Sequence, residues 1–178
     1  MKITYHLTNS DFLEYQLYSS SKSKFHKKKR FLSRITIPIL YLIIGVYFAY
    51  VKEDNIILTV FTIVSVLWFL LYPIYSKWHY KNHFKKHVEE NYKNRINKSV
   101  EIIFNEGYIS AKDFTSESKI SGSEIKELIE TKKHFFLKLK TDISIIIPKH
   151  SINDNHRFKN IINDFGVKYI NELNWVWK

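Results

Sequence analysis

Three histidines, His79, His83 and His87, stand four residues apart in a stretch without Gly or Pro, and they form the chain's one metal-like arrangement. On a helix this spacing lines them along one face. Adjacent imidazoles could hold zinc. Residues four apart are separated by about 6 Å along a helix axis, so the outer two lie about 12 Å apart and cannot share an ion. No acidic or thiolate ligand is placed to finish a site. Glu89 and Glu90 balance neighbouring lysines, and the chain has no cysteine. We expect no metal centre, and read a headgroup-level face of His, Lys and Tyr that gains charge near neutral pH. Other chemistry is scarce. Glycine occurs only at 45, 107, 122 and 166, too sparsely for a phosphate-cradling loop. There is no Gly-x-Ser-x-Gly elbow and no His-Glu-x-x-His pair. Neither enzyme activity nor a cofactor is expected. The lack of cysteine also excludes a disulfide framework.

The remaining candidates are cations. The 178 residues include 28 Lys and Arg against 17 Asp and Glu, a formal charge of +11. One cluster (Lys22, Lys24, Lys27, Lys28, Lys29, Arg30, Arg34) precedes an apolar run. A second (Lys77, Lys81, Lys85, Lys86, Lys93, Arg95, Lys98) follows another. Near an anionic leaflet each such cation contributes about 1 kcal/mol, so a bilayer with anionic headgroups is the expected partner. Nucleic acid is not, because the clusters flank apolar runs and no reading motif accompanies them. Towards the C-terminus, Lys132, Lys133, Lys138, Lys140 and Lys149 are further candidate contacts for a lipid headgroup or a protein segment. The lipid- or partner-binding set is therefore Lys27, Lys28, Lys29, Arg30, Lys77, Lys81, Lys85, Lys86, Lys132, Lys133, Lys138 and Lys140.

These cations are positioned by two apolar runs, at 35–51 and 56–75, that carry no charged side chain and are separated only by residues 52–55. About 20 apolar residues cross a hydrocarbon core of about 30 Å as a helix. The second run meets that length. The first is extended by Leu32 and the snorkelling arms of Arg30 and Arg34. A soluble core helix normally keeps one polar face, which these runs lack. The first also lies too deep in the chain for a signal peptide. The expectation is a two-span hairpin in the cell membrane. Lys and Arg crowd its outer flanks, which places both termini in the cytoplasm and the 52–55 loop outside. Gly45 and Ala49 give a small-xxx-small spacing, read as packing against the second span in preference to a homo-oligomer contact.

The flanks divide the chain into 1–30, a cytoplasmic strand, helix and basic segment; 31–76, the hairpin; 77–98, a basic juxtamembrane helix; and 99–178, a cytoplasmic domain. Residues 2–7 alternate like a half-buried strand, expected to pair with the C-terminal domain. Asn9 or Ser10 is expected to cap a helix through Phe12, Leu13 and Leu17, and Ser19, Ser20, Ser21 and Ser23 to loosen the joint that follows. In the last region, 100–104 and 108–111 form a hairpin about Gly107. A third strand is read across 119–130, a fourth at 134–140 and a fifth at 143–147, closed by Pro148. Asn153 or Asp154 caps a helix bearing Phe158, Ile161, Ile162 and Phe165, ended at Gly166. Residues 175–178 fit either an anchor at the membrane interface or, in slight preference, a last strand whose tryptophans finish a core. The fold class is an α+β membrane protein: a transmembrane hairpin plus a small antiparallel half-barrel capped by a C-terminal helix.

The chain resembles the YcxB-like family of bacterial membrane proteins over nearly its full length. The resemblance runs through Asp11-Phe12 and the paired spans, then Ile102-Ile103-Phe104-Asn105-Glu106-Gly107-Tyr108-Ile109, Ile125, Ile129-Glu130, Phe135-Phe136-Leu137 and Ile145-Ile146-Ile147-Pro148-Lys149. Where the family often carries Trp-Ser ahead of Ile125, this chain has Gly122-Ser123. The resemblance implies a pleckstrin-homology-like (PH-like) C-terminal domain and no particular activity. A membrane-anchored, non-catalytic binding or adaptor protein is the expected function, with protection against a membrane-active peptide or toxin as the alternative.

Overall fold

A computed structural model describes residues 1–53 and 55–177. Asp54 of the inter-span loop and Lys178 of the C-terminal segment lie outside the described residues. The chain is α+β and divides into two compact units. One comprises residues 1–16 and 85–176, the other 17–84 and 177–178.

The first unit holds two four-stranded sheets. Sheet one runs β1 (Lys2–His6), β2 (Ser99–Asn105), β3 (Tyr108–Lys112), β4 (Glu117–Ser121), each antiparallel to the next. The expected N-terminal strand is thus present. Alternation drives it into place: Ile3 and Tyr5 are buried while Lys2, Thr4 and His6 face out. Sheet two has the order β7 (Ser144–Pro148), β6 (His134–Leu139), β5 (Ile125–Glu130), β8 (Lys168–Asn171), with β8 parallel to β5. The single strand expected over 119–130 is in fact two, β4 and β5, in different sheets. A 3-10 turn at Gly122–Glu124 parts them. Gly122 is needed there because a Cβ would lie 2.6 Å from the Phe165 ring. The last strand is β8, not the tryptophan segment; residues 172–177 form a turn and irregular chain. The chain turns at Leu173–Asn174, with the Trp175 N–H donating to the Glu172 carbonyl at 2.9 Å, so the segment does not extend as a strand.

Asp154 caps α4 (Asn155–Asn163) by accepting from the His156 and Arg157 N–H groups. Phe158 of α4 enters the core against Phe104 of β2 and Phe135 of β6. Gly166, at φ +70°, ends the helical segment as expected. Helix α1 (Asn9–Lys22) starts with Thr8 at the cap position, one residue ahead of the expected cap. The Asp11 carboxylate reaches back to accept from the Thr8 N–H and hydroxyl, each at 2.7 Å, so Thr8 and Asp11 share the capping.

The second unit contains most of α1's C-terminal half, α2 (Lys24–Lys52) and the apolar part of α3 (Asn55–Asn91). The serine joint is ordered. Ser20 is buried, and Ser23 caps α2 by accepting from the His26 N–H. Both α2 and α3 are long and apolar enough to cross a membrane, and only 11% of each apolar window is buried. Many of their large side chains, among them Ile43, Val46, Ile63 and Leu70, are exposed, unlike those of a packed core helix. The helices meet through small groups. A Cβ on Gly45 would lie 2.9 Å from Phe61 Cβ, so Gly45 packs on α3 as expected. Ser65, buried, donates 3.1 Å to the Pro38 carbonyl. Pro73 has no N–H for the Phe69 carbonyl four residues back, and the Arg34 Nε donates to that oxygen at 3.2 Å.

Candidate functional site

The cations divide by location. Lys27, Lys28 and Lys29 on α2 and Lys77 and Lys81 on α3 are exposed. They share one end of the hairpin, where His26 meets Tyr80. Arg30 differs: its guanidinium lies over the rings of Tyr80 (5.6 Å) and Trp177 (5.1 Å). Trp177 in turn donates to the Lys77 carbonyl at 3.1 Å. Lys85 and Lys86 are exposed further along α3, with Lys86 3.7 Å from Glu90. In the sheet unit the set is not brought together. Lys132 and Lys133 occupy the β5–β6 turn, whereas Lys138 and Lys140 lie at the other end of β6. Lys133 pairs with Glu14 (3.7 Å), Lys138 with Asp142 (3.0 Å) and Lys140 with Glu124 (4.0 Å). Each of these pairs includes at least one exposed side chain and contributes little to stability.

The three histidines of α3 have separate neighbours. His79 stacks on Tyr75, His83 meets Phe84, and His87 bonds Asn91 at 3.0 Å. Among the described residues no group of three His, Asp or Glu side chains is placed to hold a metal ion.

Two buried ionic clusters were not legible from the sequence. In the first, His134 on β6 is 2% exposed. Its Nε2 lies 2.7 Å from Asp11 Oδ1, and its Nδ1 3.5 Å from Glu14 Oε1. Burial opposes a charged imidazole, but the Asp11 bond and the second carboxylate, Glu14, outweigh it and raise the pKa above the ordinary value. Asp11 is also partly desolvated, yet the bonds from His134 and Thr8 lower its pKa to about 2. Glu14 is lowered chiefly by His134. The pair ties α1 to β6, with Tyr15 edge-on to Phe136 beside it.

In the second cluster the buried Glu130 of β5 accepts from Lys149 (2.6 Å), Tyr169 (2.6 Å) and Lys159 (3.2 Å). Burial would raise its pKa, and the three donors bring it below the ordinary value. The Glu130 bond pushes Tyr169 up to about 12. Lys149, read from the sequence as a headgroup contact, is held in this cluster. Both clusters are paired within the fold, which is structural chemistry rather than a reactive arrangement.

One open feature is a cavity of about 220 Å³ between the sheets. Tyr5 and Leu7, Phe12, Val100, Ala111, Phe114, Ile145 and Ile146 form its apolar wall. Arg95, Lys98 and Lys112 stand at its polar side with Asp113, Ser116, Ser118 and Ser144. Asp113 is occupied by its own loop: its Oδ1 accepts from the N–H and hydroxyl groups of Thr115 and Ser116. Those bonds, led by the Thr115 N–H, lower its pKa to about 2. Of these lining cations, Arg95 and Lys98 belong to the basic cluster noted in the sequence, but nothing local to 93–98 tells that they meet β7 across a cavity.

No curated protein and no solved structure matches the chain. The N-terminal strand and the paired apolar helices, which also carried the resemblance read from sequence, lie outside the part that a family model matches. Residues 104–162, from the end of β2 through most of α4 and including His134, Glu130 and the β7 wall of the cavity, match the YcxB-like protein family.

Proposed function

We propose that this is a membrane-anchored, non-catalytic binding or adaptor protein. The hairpin of α2 and α3 spans the bilayer, and the sheet unit is a PH-like half-barrel held at the cytoplasmic face. The observation that carries this reading is the exposure of the two apolar helices, whose windows are 11% buried. Side chains such as Ile43, Val46, Ile63, Leu67 and Leu70 are left open. A contiguous apolar surface of this extent needs an apolar partner, and a bilayer supplies one around the whole circumference of each helix. The exposed Lys27, Lys28, Lys29, Lys77 and Lys81 at one end then meet anionic headgroups. Two features support a binding role over catalysis: the internal pairing of both buried ionic clusters, and the cavity left between the sheets. Alkaline carbonate washing of cell membranes tests the anchor. An integral hairpin stays in the membrane pellet; release into the supernatant overturns the reading.

A further inference from the structure

The cavity lies beside two edge strands. Among the described residues β1 pairs with no strand but β2, and β7 with none but β6. Which backbone groups are left over follows from the register. The Leu139 N–H donates to the Ile143 carbonyl, and Lys149 N–H to the Lys133 carbonyl. Bonded pairs alternate along an antiparallel ladder. Leu137–Ile145 and Phe135–Ile147 are therefore bonded pairs, and Ser144 and Ile146 turn their N–H and C=O groups to the free edge. Among the described residues no backbone bond to either is found. Ile146 as a residue is only 6% exposed, which leaves its edge groups little access to bulk water. Buried backbone groups are rarely left in that condition. Pro148, next on the same edge, has no N–H to satisfy.

Tyr5, 4% exposed, also lines the cavity. The cavity volume of about 220 Å³ exceeds the roughly 150 Å³ that accommodates a benzene ring. It therefore takes one large apolar side chain. Arg95 and Lys98 are exposed at its rim, with Lys98 5.8 Å from the Phe114 ring. Lys112 adds a third cation, shared with Glu117 at 3.7 Å.

We propose that the β7 edge binds an acidic peptide segment in extended conformation. The segment adds a strand along Ser144–Ile146, inserts one large apolar side chain beside Tyr5 and Ala111, and sets carboxylates against Arg95 and Lys98. An acyl chain would fill the apolar volume but leave the Ser144 and Ile146 backbone groups unpaired, whereas a strand satisfies both. The proposal deepens the binding role above and names the partner's chemistry.

The test is selection of a displayed library of random peptides of about nine residues, long enough to flank one strand, against the full chain in detergent. Enriched peptides are then measured by fluorescence anisotropy. Acidic sequences around a single aromatic or branched residue are expected. Three variants locate them. Ser144→Pro removes the edge N–H, and Ala111→Trp fills the cavity. Each should weaken binding about tenfold, or about 1.4 kcal/mol. The exposed double variant Arg95→Glu, Lys98→Glu should remove the acidic preference and leave the melting temperature unchanged. Three results each overturn the proposal: no enriched sequence, a basic one, or equal binding by the Ala111→Trp protein. Displacement of the peptide by phosphatidylglycerol vesicles, with loss of the sequence preference, assigns the cavity to lipid and overturns it too. Carbonate washing of the same variants separates the readings. Retention in the pellet without peptide binding leaves the anchor standing and removes only the partner.

Discussion

His134 sits in a nearly closed site against two carboxylates, and its contribution to stability depends on pH. Its pKa is raised in the folded chain by Asp11 and Glu14 against the effect of burial. A group with a raised folded pKa contributes its full stability below its unfolded value of about 6.5 and loses that contribution as pH rises through the folded value. Asp11 works in the opposite direction: its pKa of about 2 gives stability that is present above about 4 and lost on acidification. The sheet unit should therefore be most stable between these limits and weaken from neutral into mildly alkaline solution. His134→Gln should lower stability by about 3 kcal/mol near pH 6, the scale for breaking a buried pair. It should also flatten the alkaline arm of a melting-temperature profile, an arm that would persist in the variant if other groups produced it. The sequence showed His134 only as a strand residue on the Phe136 face. Its Asp11 partner lies 123 residues away, and both partners are on another element. The available signal was a helical face with carboxylates at 11 and 14 and a lone histidine within an apolar strand. It became readable only once β6 was placed under α1.

At the scale of elements, patterns of period two and near 3.6 carried most of the fold. β1, β2, β3 and α4 follow local alternation or a capped apolar stripe, while β6 and β7 are short apolar runs buried over consecutive residues. What failed was the stretch 117–130 and the last strand. Gly122 ends β4 because Phe165 fills the space its Cβ would need, a contact no local pattern encodes. β8 is found by pairing parallel to β5, where its side chains complete a sheet already built. The apolar hairpin was legible for the opposite reason: its identity depends on length and uniform composition. One position in its helix-to-helix contact leaves no room for a side chain: Gly45 faces Phe61 and Leu58. Gly45→Leu should force α2 from α3 and cost about 1–3 kcal/mol, the range for overpacking a close contact. A pair of cysteines introduced at Pro38 and Ser65, adjacent through the 3.1 Å bond, gives the readout. Disulfide formation in membranes should be efficient in the parent chain and sharply reduced by Gly45→Leu; equal yields would remove Gly45 from the contact.

For the whole molecule the remaining question is which way the proposed hairpin lies, and charge distribution decides it. Seven cations occur in 22–34 and seven in 77–98, against Lys52 alone in the inter-span loop. Lys and Arg near span ends are retained on the cytoplasmic side, and acids count little. The two flanks act together because an even number of spans puts both on one side. Neutralising only one flank should therefore leave the orientation unchanged. Reversal needs the bias removed from both ends and rebuilt in the loop: Lys27, Lys28, Lys29, Lys77 and Lys81 replaced by Gln, with Glu53→Lys and Asn55→Lys. All five neutralised lysines are exposed, so none of these changes removes a packed side chain. An alkaline phosphatase fused after residue 178 is active only outside the cytoplasm. It should be silent on the parent chain, silent after either single-flank change, and active in a substantial fraction of the combined variant. Activity on the parent chain would invert the proposed topology and place the β7 edge beyond reach of cytoplasmic peptides. Silence of the combined variant would mean that the folded sheet unit, rather than the lysines, holds the chain in place.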